Sequence, residues 1–197
     1  MKYEIKVLSL KKNTLRRDFM VNNFGKRYKF DFWDAIEGKT NKFTPQENQF
    51  FLNSEFHKYN CSAEACKAIS LSNYNMWKYS VDNNINLVIF EDDVLITSNS
   101  WFNFDKMFED NFDIHFLTNI KDFANCFAYM VTPQGAQKLI KHFNKFGFKD
   151  ILDNDIRYLP KPQFKIRHEL FNHFGTVHNH FLGSDVLLHG YTTHEKS

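Results

Sequence analysis

Leu87-Val88-Ile89-Phe90-Glu91-Asp92-Asp93 sets four apolar residues directly ahead of three carboxylates. A short run of β-branched and aromatic residues reads as a buried strand, so the acids emerge together at its carboxyl end. Open α/β sheets bind ligands at that end of their strands. Adjacent carboxylates repel one another, and a divalent cation held through oxygen ligands is the simplest relief. The stretch therefore predicts a metal-assisted site on an α/β fold, with a solvated acidic turn as the plain alternative.

The flanking sequence repeats the strand-helix pattern. Tyr3 to Leu10 (YEIKVLSL) has strand composition, Lys11-Lys12-Asn13-Thr14 breaks it, and residues 15–24 carry a helical pattern. Tyr28 to Trp33 (YKFDFW) alternates aromatic and polar side chains, which predicts a second strand ending near Ala35. Thr44-Pro45-Gln46-Glu47 has the residues of a capping box with proline at the first helical position. Residues 62–81 lack Gly and Pro and keep Ala65, Ile69, Asn73, Met76 and Trp77 at helical spacing, which predicts a long helix ahead of the acidic strand. Beyond it, residues 114–117 and 126–131 read as strands, and Thr132-Pro133-Gln134-Gly135 opens a capped helix to about Phe146. Such alternation predicts a mostly parallel sheet covered on both faces, a three-layer α/β domain. Residues 160–197 are irregular and rich in histidine (His168, His173, His178, His180, His189, His194), and one domain spans residues 1–197.

Composition narrows the class. Of the 197 residues, 43% are hydrophobic and 17% aromatic, with 23 Phe, which excludes a disordered chain. No apolar run approaches the roughly 20 residues needed to span a bilayer, and Met1-Lys2-Tyr3-Glu4 lacks an apolar signal region, so the expectation is a cytoplasmic protein. Cys61, Cys66 and Cys126 form no CxxC pair and read as small buried residues. The net charge of +2 hides a basic amino-terminal segment: Lys2, Lys6, Lys11, Lys12, Arg16, Arg17, Lys26, Arg27 and Lys29 stand against Glu4 and Asp18. Such a face suits a diphosphate, nucleic acid or an anionic membrane surface, or is ordinary solvated helix. Seven scattered glycines form neither GxGxxG nor GxxxxGK[ST], which argues against a dinucleotide Rossmann domain or a P-loop NTPase.

Four blocks in order carry a resemblance to a known family: Val7-Leu8-Ser9-Leu10 with Leu15-Arg16-Arg17; Phe32-Trp33-Asp34-Ala35-Ile36-Glu37-Gly38; Trp77 leading into the acidic strand and Val94; and Ala128-Tyr129-Met130-Val131-Thr132-Pro133-Gln134-Gly135-Ala136. The chain resembles glycosyltransferase family 25, the lipooligosaccharide galactosyltransferase family that also includes collagen galactosyltransferases. The likeness runs from about Lys6 to at least Asp153, with Gly183-Ser184-Asp185-Val186 similar to a closing block. There are departures. Where the family typically has Gly-Cys and then Ser-His ahead of the Trp, this chain has Ala68-Ile69 and Ser72-Asn73; Asn73 keeps hydrogen-bonding capacity but cannot titrate near neutral pH as histidine does, so an acid/base or acceptor role there is lost or changed, or the position is structural.

The resemblance implies a GT-A type three-layer α/β/α nucleotide-sugar-binding domain, a UDP-sugar donor, Mn²⁺ or Mg²⁺, and transfer of a hexose, by family default galactose, with inversion. It implies Asp93 as metal ligand, with His180 of His178-Asn179-His180 as a further one, and donor contacts from Ser9, Leu10, Arg16, Arg17, Ala35, Glu37, Glu91 and Asp92. Here Glu91 reaches the sugar, Ser9 and Leu10 the nucleobase, and Arg16 or Arg17 the diphosphate or Glu37. A metal held against the nucleotide leaving group would stabilise the charge that develops there. Direct displacement needs a base opposite the leaving group, for which Asp153 and then Asp155 stand where the family places an acid; helix capping is the competing role. The expected acceptor is a lipooligosaccharide or other glycan, as in lipopolysaccharide biosynthesis, met by a cytoplasmic enzyme at the inner membrane surface. Two other readings remain: a non-catalytic binding module on the same fold, and a metal-dependent nuclease gripping phosphate through the basic segment.

Overall fold

The computed structural model describes residues 2–59, 61–96, 102–117 and 126–168, and the backbone of 176–178. Chain order begins with β1 (Tyr3–Ser9), α1 (Thr14–Asn23), β2 (Asp31–Asp34), α2 (Pro45–Gln49) and a 3-10 turn at Phe56–Lys58. The long α3 (Ala63–Asn83) leads into β3 (Asn86–Glu91), followed by β4 (Val94–Ile96), α4 (Phe104–Met107) and β5 (Ile114–Phe116). β6 (Ala128–Val131), α5 (Pro133–Phe146), α6 (Leu152–Arg157), β7 (Ile166–His168) and β8 (Thr176–His178) complete the described elements.

Period-two alternation in the two central strands builds both cores. Ile5 and Val7 of β1 join Val88 and Phe90 of β3 on one face, where Met20 of α1, Phe24 just after it, Phe104 and Phe108 cover them. Leu8, Leu87 and Ile89 point the other way, under Leu71, Met76 and Trp77 of α3 and Leu139 and Phe143 of α5. Helices thus lie on both faces, as the alternation predicts. The sheet order is β2-β1-β3-β6-β5-β7. β1 runs parallel to β2 and β3, and β5 parallel to β7, but β6 is antiparallel to both its neighbours.

Several boundaries differ from the sequence reading. The second strand begins at Asp31, opposite Lys6, rather than at Tyr28. Tyr28 and Phe30 instead pack against Phe24, and the Tyr28 hydroxyl donates to the carbonyl of Phe102. Burying aromatic area at this edge wins over extending a two-strand ladder. The capping box at Thr44 forms, with Glu47 N–H donating to Thr44 Oγ1 and Thr44 N–H to the Glu47 carboxylate. Thr132 caps α5 through Gly135 N–H at 3.0 Å. A Cβ on Gly135 would lie 2.1 Å from the Asp113 carbonyl oxygen, so that close approach of α5 to the β5 strand start requires glycine.

Asn73 finds a structural place on α3. Trp77 Nε1–H donates to the Tyr129 hydroxyl at 2.9 Å, that hydroxyl donates to Asn73 Oδ1 at 2.7 Å, and Asn73 Nδ2 donates to the Ile69 carbonyl at 3.0 Å. Every polar atom in this fully enclosed chain thereby has a partner, which is what burial of such groups demands. Trp77 also stacks on Phe143, which stacks on Phe148 with ring centroids 4.1 Å apart. α3 ends on Asn84 at φ 49°, a left-handed conformation that asparagine tolerates better than most residues.

Candidate functional site

Parallel pairing brings the carboxyl ends of β1, β2 and β3 together, and a pocket opens there. Its floor includes Ser9, Arg16, Glu91, Asp92 and Asp93. Ala35 and Ile36, after β2, and Ala65, Ala68 and Ile69, on α3, supply an apolar wall. Lys12, Glu37 and Lys39 line it as well, the two lysines exposed.

The acidic triplet divides by partner. Asp92 is 5% exposed and accepts from Ser9 Oγ at 2.6 Å and from Arg16 Nη1 at 2.8 Å, so both of its oxygens are engaged. Arg16, 7% exposed, also stands 3.4 Å from Asp93 Oδ2. Asp93 Oδ1 is buried with no hydrogen-bond partner among the described residues. Glu91 ends β3, its N–H donating to the Phe127 carbonyl at 2.7 Å. Burial, then the charges of Asp93, Asp153 and Asp92, push its carboxyl well above the usual range, against the pull of Arg16. Burial also raises Asp92, with Ser9 and Arg16 opposing.

The arginines therefore have partners that a linear reading does not give. Arg16 balances part of the triplet's charge from within. Arg17 donates to the Ser9 carbonyl at 3.1 Å, pairs with Asp34 and lies over the Phe32 ring at 4.7 Å. Glu37 is held by Lys12 and by the Thr40 hydroxyl at 3.0 Å, not by either arginine. Lys6 bridges Glu4 and Asp31. Lys6, Lys12, Arg16 and Arg17 are thus engaged in internal ion pairs, which leaves less of the basic segment for a phosphate backbone than its composition suggests.

The two candidate bases are placed differently. Asp153, in the first turn of α6, accepts from Cys126 N–H at 2.7 Å, and its charge reaches Glu91. Asp155 turns back to accept from the N–H groups of Lys149 and Asp150 at 3.1 and 3.2 Å, closing the loop ahead of α6. Its carboxyl is pushed up to about 7 by burial, with those two N–H groups and the Lys149 charge opposing and the Asp150 charge adding. That exceeds the unfolded value of about 3.9. The native state holds the proton more tightly, so this group's favourable contribution is full below about pH 4 and is lost as pH rises through about 7. Asp155→Asn keeps an acceptor for the loop and removes the titration. Its thermal-shift advantage over the parent is expected to widen from about pH 5 to about pH 8; a constant difference would show that Asp155 does not titrate there.

The donor chemistry of Asp93 suits a hard cation such as Mg²⁺ or Mn²⁺, which takes oxygen ligands. Among the described residues no group of three His, Cys, Asp or Glu side chains is arranged to hold a metal ion. β8 ends at His178, whose register partner Val94 directly follows Asp93. His180 lies outside the described residues, as does Trp101. Two side chains escaped the sequence reading. Lys12 stands at the pocket because the turn after β1 folds over it, and Cys61 is only partly buried, its sulfur 2.7 Å from that of Cys66.

Residues 3–119, more than half of the chain, match the sequence model of glycosyltransferase family 25 (LPS biosynthesis protein). That range holds β1, α1, β2, α3, the acidic triplet and β5. Ala128-Tyr129-Met130-Val131 and Asp153 lie beyond it. No curated protein matches the chain.

Proposed function

We propose that this chain, which belongs to glycosyltransferase family 25, is a metal-dependent inverting enzyme of GT-A type. It moves a hexose, by preference galactose, from a UDP-sugar to a lipooligosaccharide or other glycan. The observation that carries the reading is a pocket at the carboxyl ends of β1, β2 and β3 whose floor holds a carboxylate oxygen, Asp93 Oδ1, without a hydrogen-bond partner among the described residues. Asp93 would hold the metal, and a metal bound there supplies charge stabilisation to the departing diphosphate.

The chain's own residues take the remaining roles. Asp92 is a positioning residue, since Ser9 and Arg16 occupy it and fix the turn that presents Asp93. The apolar wall of Ala35, Ala65, Ala68 and Ile69 suits a nucleobase, with Ser9 and Leu10 at the end of β1 beside it. Lys12 and Lys39 are the exposed pocket cations that can reach a diphosphate, Lys12 by exchanging its pair with Glu37, whereas the Arg16 pair is buried in the floor. Glu91 contacts the sugar. Asp153 accepts the acceptor hydroxyl's proton, held by the Cys126 N–H and close enough to Glu91 to interact with it. No described helix is long and apolar enough to cross a membrane. A lipid-linked acceptor would be met at the inner membrane surface from the cytoplasmic side.

Arg16 also favours a second reading. A buried guanidinium already balances part of the triplet, which a metal-free binding module on this fold would need too. One experiment separates the two: nucleotide release from UDP-, GDP- and CMP-sugars, with and without Mn²⁺. Release from a UDP-hexose that depends on Mn²⁺ is expected, and Lys12→Ala should raise the donor KM by about tenfold, the value of one exposed charge-assisted contact, with little change in kcat. UDP binding without turnover of any donor would establish the binding module; no binding of any nucleotide would overturn both.

A further inference from the structure

We propose that Cys61 and Cys66 are a reversible oxidation site, closing a disulfide that braces the α3 wall of the pocket. Ser62 caps α3 by accepting from Ala65 N–H at 3.2 Å. Cys61 is then the residue before the cap and Cys66 the fourth of the helix, the two positions whose side chains meet in a hydrophobic staple and fix the entry angle of the chain. Here both are cysteine, and their sulfurs stand 2.7 Å apart. The local fold, rather than a chance encounter of loops, brings them together.

The two thiols divide the work. Cys66 is buried at 5% exposure, whereas Cys61 is partly open to solvent. A peroxide reaches Cys61 first. The Cys61 thiolate attacks one peroxide oxygen, the O–O bond breaks, a sulfenic acid forms and the other oxygen leaves as water. The Cys66 sulfur then attacks the Cys61 sulfur, the S–S bond forms, and the sulfenic oxygen departs as a second water. Two thiols and one peroxide thus give one disulfide and two waters. Oxidised glutathione reaches the same product by two exchanges that release two glutathione thiols. Cys126, buried beside Asp153, takes no part and serves as an internal control.

The crosslink closes a short loop near its native geometry. Ser62 and Ala65, between the two cysteines, line the pocket, so the covalent staple holds that wall. For so short a loop in a domain of this size the expected rise in Tm is about 4–8 °C.

The test uses the full chain, reduced and then treated with hydrogen peroxide or oxidised glutathione. The expected result is a loss of about 2 Da, an intrachain Cys61–Cys66 crosslink on peptide mapping, the stated rise in Tm, and reversal of all three by dithiothreitol. Cys61→Ser and Cys66→Ser should each abolish the crosslink, and Cys126→Ser should leave it. A glutathione adduct or sulfinic acid at Cys61 without the crosslink, a bond between chains, or a crosslink with no rise in Tm would overturn the proposal. These readouts need no donor or metal, so their failure leaves the glycosyltransferase reading untouched.

Discussion

Arg16→Leu is expected to destabilise the fold by about 3–5 kcal/mol, a fall in Tm of roughly 6–20 °C for a chain of this size. Arg16 and Asp92 pair at 2.8 Å with side chains only 8% and 7% exposed, and Asp93 lies 3.4 Å from the same guanidinium nitrogen. Truncating the cation leaves at least one carboxylate in a poorly solvated pocket with Ser9 as its remaining donor. Burial decides the size of the effect. The Lys58–Glu55 pair, about half exposed on both sides, is worth at most about 1 kcal/mol. Adding Asp92→Asn to Arg16→Leu removes the stranded charge while keeping an oxygen for the Ser9 hydroxyl, and should recover most of the loss. Thermal and urea unfolding of the two variants check this. A loss below about 1 kcal/mol for Arg16→Leu would mean that water reaches the pair and the floor is not preorganised.

How far the sequence carries depends on whether the interaction is local. The Thr44 and Thr132 caps rest on side chains three residues from their backbone partners, and both form as read. The strand ahead of the triplet was legible because a β-branched apolar run has few other uses in a soluble fold. Strand direction was not legible: Ala128-Tyr129-Met130-Val131 looks the same whichever way it runs, and its antiparallel placement between β3 and β5 follows from connections the pattern does not encode. Tyr28 and Phe30 alternate as a strand should, yet their rings serve the α1 face instead.

Site residues show the same division. The acids and the arginines were legible as residue types, but their pairing was not, since Arg16 meets Asp92 across 76 positions. At Asn73 the sequence leaves lost chemistry and a structural role on the helix equally open, and the buried hydrogen-bonded chain through Tyr129 and Trp77 supplies the structural role. For the cysteines a local signal did exist. Once Ser62 is taken as the cap, Cys61 and Cys66 fall on the two staple positions, and spacing by CxxC is the wrong test.

Asp93→Asn is expected to separate stability from activity. The parent carboxylate has one oxygen without a hydrogen-bond partner among the described residues and stands among the charges that push Glu91 up, so removing its charge relieves repulsion. Among the described residues, the long contact to Arg16 opposes this. The variant should unfold within about 1 kcal/mol of the parent, or slightly above it, with Arg16 and Asp92 still paired. Activity should move the other way. An amide is a far weaker ligand for a hard cation, and loss of the charge-stabilising ion is expected to lower kcat/KM by about a thousandfold or more. Mn²⁺ titrations of UDP release, run beside thermal unfolding, read both quantities on one preparation. Turnover within threefold of the parent would move the metal off Asp93. A drop in Tm as large as that expected for Arg16→Leu would instead make Asp93 part of the scaffold, since a group that stabilises the fold through its charge is not an unpaired ligand waiting for a cation.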